Sequence, residues 1–190
     1  MNPGDGMNAH DAVNGTYDLV VIGGGPAGVA GALTAALHGL RVALLDSGIR
    51  LGGQYFRHAA EPTAGGAAGD TAGGAAGGTP RDTAGGTPGL RRFLRQAGAL
   101  RERADVLLGH QVWSVTRDGG HLAAHCRTPG GRVATVRCRD VLIATGAHDR
   151  SLPFPGWDLP GVLTAGGAQA LLKGDGVVAG GRVVGGGTGP

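Results

Sequence analysis

The stretch "YDLVVIGGGPAGVAGALTAALHGLRVALLD" (Tyr17–Asp46) constrains the fold more tightly than any other part of this chain. Leu19–Ile22 is an unbroken apolar run of strand length. From Pro26 to His38 small and apolar residues recur at helical spacing, and Gly39 supplies the stop. Arg41–Leu45 is a second apolar run. Neither run alternates with polar residues, which is the pattern of parallel strands covered on both faces. The three segments predict a βαβ unit with a right-handed crossover.

Glycines at 23, 25 and 28 form a GxGxxG turn between the first strand and the helix. The first permits a tight turn, and the second lets a diphosphate approach the backbone. Gly28, with Ala32 one turn on, lets the helix lie close to the sheet. An anion at that turn meets unpaired amides and the positive end of the helix dipole. Asp46 closes the second strand, where its carboxylate is placed to accept hydrogen bonds from a ribose. Taken alone, GxGxxG also describes a plain glycine turn. Flanked by strand, helix, strand and acid, it predicts a dinucleotide site.

The rest of the chain extends this plan. Residues 1–16 are polar and are expected to be disordered. Residues 59–89 repeat "TAGG" and "GGTP" and hold almost nothing to bury, so a flexible insert is expected. "LRRFLRQAGALRER" (Leu90–Arg103) predicts a helix with Leu90, Phe93, Leu94, Ala97 and Leu100 on one stripe. Asp105–Leu108 reads as a third parallel strand. Three runs follow, Gln111–Thr116, His121–Arg127 and Arg132–Cys138, joined by "RDGG" and "TPGG"; they predict an antiparallel meander. Val141–Ala144 reads as another buried strand, Asp149–Leu163 as irregular, Thr164–Lys173 as a short helix, and Arg182–Gly186 as a closing strand.

Several function classes drop out. The formal net charge is only +3 and the arginines are scattered, so neither a nucleic-acid nor an acidic membrane surface is expected. No apolar run reaches the ~20 residues of a membrane span, and the start lacks the basic and apolar regions of a secretory signal. A cytoplasmic location is expected, with Cys126 and Cys138 reduced. The turn at Thr128–Gly131 sets Cys138 near His121 rather than Cys126, which argues against a disulfide or metal pair. The histidines show no metal-ligand spacing; His38 reads as a helix C-cap, His110, His121 and His125 as meander residues, and His58 and His148 as residues that could approach a cofactor. Trp113, Phe154 and Trp157 are expected to pack.

Three further stretches complete the pattern: "LGGQYFR" after the acid, "GHQVW" at the meander's entrance and "VLIATGA" at its exit. With the fingerprint, they make the chain resemble the FAD- and NAD(P)-dependent pyridine nucleotide-disulfide oxidoreductase superfamily. The resemblance implies a Rossmann-like FAD-binding three-layer α/β fold, a parallel sheet with an antiparallel β-meander. It implies a FAD site of Gly23, Gly25, Pro26, Ala27 and Gly28 at the diphosphate and Asp46 at the ribose, with Ser47 among the cofactor-binding residues. Gly53 and Gln54 fall on the flavin side, Val112 at the adenine, and Ala144, Thr145 and Gly146 along the cofactor. No catalytic side chain and no metal ligand is assigned.

"QYFRHAAE" lacks the cysteine pair of the disulfide reductases, so that segment has no thiolate for exchange. "GGQYFRH" and "ATGAHDRSLPFPGWDLPGVLTAGGAQALLK" look most like the FAD-binding larger subunit of bacterial opine oxidase, hydroxyproline dehydrogenase and hydrogen cyanide synthase. The implied function is electron transfer between FAD and NAD(P)(H) or a partner subunit. The alternative is a non-catalytic FAD- or ADP-binding module of a subunit complex, or an inactive fragment, with a simple NAD-dependent dehydrogenase behind them. The expected organisation is a FAD domain of residues 17–58 and 90–150, with 151–190 as a connector and the first strand of an NAD(P) domain. "GGRVVGGGTGP" reads as the start of a second phosphate loop that stops at Pro190, so a C-terminally truncated chain is expected.

Overall fold

The computed structural model describes residues 16–57, 89–147, 149–178 and 180–187. The expected disordered start and the glycine-rich insert lie outside the described residues, apart from their last positions, Thr16 and Gly89, as do His58 and His148. Among the described residues, 16–56 and 89–147 belong to one compact unit; 57, 149–178 and 180–187 belong to a second.

The first unit carries strands β1 (Thr16–Ile22), β2 (Val42–Asp46), β3 (Asp105–Leu108), β4 (Gln111–Asp118), β5 (His121–Arg127) and β6 (Val133–Ile143), with helices α1 (Pro26–Leu37) and α2 (Leu90–Arg101). All six strands form one sheet in the order β3-β2-β1-β6-β5-β4. β1, β2 and β3 run parallel, β6 runs parallel to β1, and β4, β5 and β6 are antiparallel.

The sheet is not flat. β2 and β4 touch although three strands separate them in hydrogen-bonding order. The meander therefore folds back over one face of the parallel strands, giving three layers: helices, parallel sheet, meander. Alternate residues of the same strands feed the two cores. Val20, Ala43, Leu45 and Leu107 pack with Ala124, Cys126, Val136 and Cys138 of the meander. Val21, Val42 and Leu44 face the other way, onto Val29 and Ala32 of α1 and Phe93, Ala97 and Leu100 of α2. Continuous apolar strands are the chemical requirement of this sandwich, because neither face meets water. The expected stripe on α2 holds at Phe93, Ala97 and Leu100, whereas Leu94 is exposed.

The structure corrects several expectations. The runs Arg132–Cys138 and Val141–Ala144 are one strand: β6 pairs with β5 through Cys138 and continues beside β1 to Ile143. Its end is not buried: Leu142 and Ile143 are exposed, Ile143 by 70%. Trp113 does not pack in the core. A bulge between Val112 and Ser114 turns it outward, 64% exposed, against the His125 ring at 5.5 Å. Cys138 lies opposite Leu122, one residue from the expected His121, and Cys126 lies opposite Ala134; both thiols are buried and free.

In the second unit, 149–164 has turns but no strand or helix, and α3 (Ala165–Asp175) follows. Thr164 caps it by accepting from the Gly167 amide at 3.0 Å, and the Asp149 carboxylate accepts from the Gly166 amide. Arg182–Gly186 is a further correction: it forms no strand, and Val184 is 98% exposed. A single apolar run gains nothing from extension without a ladder partner. Phe154 and Trp157, expected to pack, are 55% and 50% exposed.

Tyr17 anchors β1 at the start of the parallel sheet. It is buried, donates from its hydroxyl to Asp105 Oδ2 at 2.9 Å, and carries the Arg41 guanidinium over its ring at 4.7 Å. Burial, then the bond to Asp105 and its charge, push the phenol's pKa well above its ordinary value. Burial also raises both cysteine thiols. In the unfolded chain the phenol ionises at about pH 10, so the native state holds the extra proton there and stability falls as pH rises. The stability contributed by neutral Tyr17 is whole below that pH and is lost above it. Urea midpoints measured from pH 8 upward should fall less steeply above about pH 10 in Tyr17→Phe than in the parent; equal slopes would count against this account.

Candidate functional site

The site is built at the end of β1. Gly23 turns the chain with φ +111°, a conformation that other residues rarely adopt. A Cβ there would lie 2.3 Å from the Ala144 carbonyl oxygen. The first glycine thus serves the exit of β6, the "ATG" stretch, as much as the turn. The Ala144 amide donates to the Ile22 carbonyl at 2.8 Å, holding that exit beside the loop. At Gly28 a Cβ would lie 1.8 Å from the Gly23 carbonyl oxygen, so α1 rests directly on the turn.

Gly25 differs from both. Its backbone is ordinary extended chain (φ −74°, ψ −176°), and a Cβ would meet nothing within 4 Å. Neither sterics nor conformation inside the protein demands glycine at this position. Gly25 is also the N-cap of α1, with no side-chain cap and no acidic residue in the first turn. Pro26 has no N–H, and the amides of Ala27 and Gly28 stand in the first turn, where a helix offers no acceptor of its own. The Gly24 amide is taken by Asp46, but no side-chain cap and no acidic residue of α1 occupies the amides of the first turn.

Asp46 stands beside this cradle. One carboxylate oxygen accepts from the Gly24 amide and the other from the Gly48 amide at 2.6 Å, an Asx turn. These bonds orient the carboxylate and leave lone pairs on each oxygen for further donors. Ser47 is exposed next to it. The segment after it is tied back: the Gly52 amide donates to the Gly24 carbonyl at 2.8 Å, and a Cβ on Gly53 would lie 3.2 Å from Gly25 Cα. The Gly109 amide donates to the Gly48 carbonyl and the His110 amide to the Asp46 carbonyl, both at 2.9 Å. His110, the buried polar side chain among the described residues, bonds through Nδ1 to the Leu108 carbonyl at 2.8 Å. Val112, two residues on, is the second residue of β4.

The structure therefore brings Gly23, Gly25, Pro26, Ala27, Gly28, Asp46, Ser47, Gly53, Ala144 and Thr145 around one loop, and it joins Val112 to them through His110. Gln54 follows Gly53 and is exposed; Gly146 is exposed with φ +71°. Gly24, Gly48, Leu51 and His110 were not anticipated. Gly48 had a signal, since an acid two residues before a glycine marks an Asx turn; Gly24 had none of this kind, its carboxylate partner lying 22 residues along the chain. Leu51, whose Cδ2 would lie 2.6 Å from a Cβ on Gly24, and His110, whose amide donates to the Asp46 carbonyl, had none, because Gly24 and Asp46 are distant from them in sequence. Of the second glycine loop only Gly187 is described, exposed and at φ +155°. Among the described residues no group of His, Cys, Asp and Glu is arranged to hold a metal ion, and no helix is long and apolar enough to cross a membrane.

Known proteins are similar to this chain in sequence and in fold. An opine oxidase subunit from Agrobacterium tumefaciens is 41% identical over 180 residues, 92% of this chain and 32% of that protein. The HcnB subunit of hydrogen cyanide synthase from Pseudomonas protegens is 34% identical over 171 residues, 90% of this chain and 33% of that one. The chain thus spans about a third of the length of these curated relatives. In fold it is similar to the crystal structure of L-proline dehydrogenase from P. horikoshii, with a TM-score of 0.65 and 22% identity over 87% of this chain and 30% of that one. The model of the pyridine nucleotide-disulphide oxidoreductase family matches residues 17–188, and the chain belongs to that family.

Proposed function

We propose that this chain supplies the adenosine-diphosphate half of a FAD site in an oxidoreductase. The family uses FAD and NAD(P)H. The observation that carries the reading is the contrast among the fingerprint glycines: Gly23 and Gly28 are demanded by contacts within the protein, while Gly25 is demanded by none. A diphosphate lying against its α-carbon explains the missing side chain. In this reading the amides of Gly25, Ala27 and Gly28 hold the diphosphate, with the dipole of α1 behind them. Asp46 accepts from the ribose hydroxyls, Ser47 flanks them, and Val112 borders the adenine. Gly53, Gln54, Ala144, Thr145 and Gly146 line the flavin side.

When bound, the flavin supplies the two-electron chemistry, and the protein's own residues contribute binding, orientation and exclusion of water. The curated relatives are named as subunits of an opine oxidase and a hydrogen cyanide synthase. The role we assign is a flavoprotein component of a complex that oxidises amines or imino acids. Its other electron carrier is NAD(P)H or a partner protein of that complex. Residues 17–58 and 90–150 form its FAD domain, and 151–190 lead toward a nicotinamide-nucleotide domain.

FAD titration of the purified chain, followed by equilibrium dialysis, tests the site. One equivalent of FAD should bind, and Asp46→Ala should weaken it by at least tenfold, about 1.4 kcal/mol. Loss of the carboxylate also leaves the Gly24 and Gly48 amides unpaired, so a stability cost of about 1–3 kcal/mol should accompany it. Tight FAD binding unchanged in Asp46→Ala would show that the ribose lies elsewhere.

A further inference from the structure

We propose that Tyr55 forms an aromatic wall against the isoalloxazine ring of the bound flavin. The proposal rests on the FAD reading above and adds a contact residue to it. Tyr55 sits in a single turn, 51–56, closed by the Phe56 amide donating to the Gly52 carbonyl at 3.1 Å. The turn is braced from below. Phe56 is buried and stacks on Phe93 of α2 at 4.7 Å between ring centroids, and its ring lies beside Gly89 at the start of that helix. The turn is braced from the side by the Gly52 bond to the Gly24 carbonyl.

Tyr55 itself stays outside this core, 53% exposed, and meets Phe56 edge-on at 4.8 Å. An exposed aromatic ring on a braced turn keeps its position at little entropic cost, which suits it to a flat ligand. The order of contacts along the loop sets the direction. Asp46 and Leu51 lie against Gly24, and Gly53 lies against Gly25, one residue closer to α1. The ribose end of the dinucleotide belongs to Asp46. The chain that follows Gly53 thus leads from the diphosphate toward the other end of the cofactor, where the ring system must lie. Tyr55 comes two residues after Gly53. A phenol in contact with isoalloxazine donates an electron to the excited flavin and quenches its emission; a phenyl group cannot.

Attribution is favourable because the chain holds only two tyrosines and two tryptophans. Tyr17 is buried between the meander and the sheet, and Trp113 lies on the meander's outer surface. Trp157→Leu isolates the remaining residue. The experiment loads the full chain with FAD, removes free flavin, and measures emission per bound flavin, the latter counted by absorbance. Tyr55→Phe keeps the packing of the turn and should brighten bound FAD several-fold; Tyr55→Trp should return it to the parent's dim level. Equal yields in all three proteins with FAD bound overturn the Tyr55 contact while leaving the site intact. Failure of the parent chain to bind FAD overturns the site and the contact together.

Discussion

Gly28→Val should unfold the β1–α1 turn rather than merely weaken a ligand. The first side-chain carbon would have to occupy a point 1.8 Å from the Gly23 carbonyl oxygen, well inside van der Waals contact. The obstacle is backbone, not the tip of a flexible side chain, so it cannot swing away. Relief requires α1 to lift from the sheet, which uncovers Val29 and Ala32 from Val21, Val42 and Leu44. Overpacking of this kind costs about 3 kcal/mol or more, a large part of the stability of a domain this size. The urea midpoint should drop accordingly, and FAD binding should vanish with the fold. A variant that unfolds at the parent's midpoint would show that the helix does not rest on the turn as described.

Gly25→Leu should give the opposite pairing: an intact protein that no longer holds FAD. The backbone at Gly25 suits any residue, and a Cβ there meets nothing within 4 Å. Leucine is a poorer helix N-cap than glycine, so a stability loss of up to about 1 kcal/mol is expected. The side chain would fill the volume that the diphosphate needs and would cover the amides of the first turn. Affinity for FAD should fall by about 100-fold or more, roughly 2.7 kcal/mol. Circular dichroism and urea unfolding check the first half of the prediction, and dialysis against FAD checks the second. Unchanged retention of FAD would remove the main support for a diphosphate at this loop.

The two glycines are indistinguishable as letters in GxGxxG, yet one serves the protein and the other faces outward. That difference shows how far local signals reach. β1, α1, β2, α2 and β3 were legible because each rests on periodicity within a few residues and on stops such as Gly39 at φ +81°. The turns "RDGG" and "TPGG" made the meander legible for the same reason. The continuity of β6 was not, because Arg139 and Asp140 interrupt its apolar pattern. They are tolerated as exposed residues where the strand passes from β5 to the flank of β1. Trp113 was misplaced because a bulge changes which face a residue occupies without leaving a mark in composition.

From the order of its residues alone, this protein was determined to be a βαβ dinucleotide fold with an appended meander. Hydrogen bonds between near neighbours and the burial pattern of each segment are properties of short stretches of chain. The folded-back meander, the pinning of Asp46 by two amides, the bracing of the Tyr55 turn on α2 and the openness of Gly25 were decided only in three dimensions. Each depends on groups distant along the chain that become neighbours when the layers close, and no local pattern encodes the distance between them.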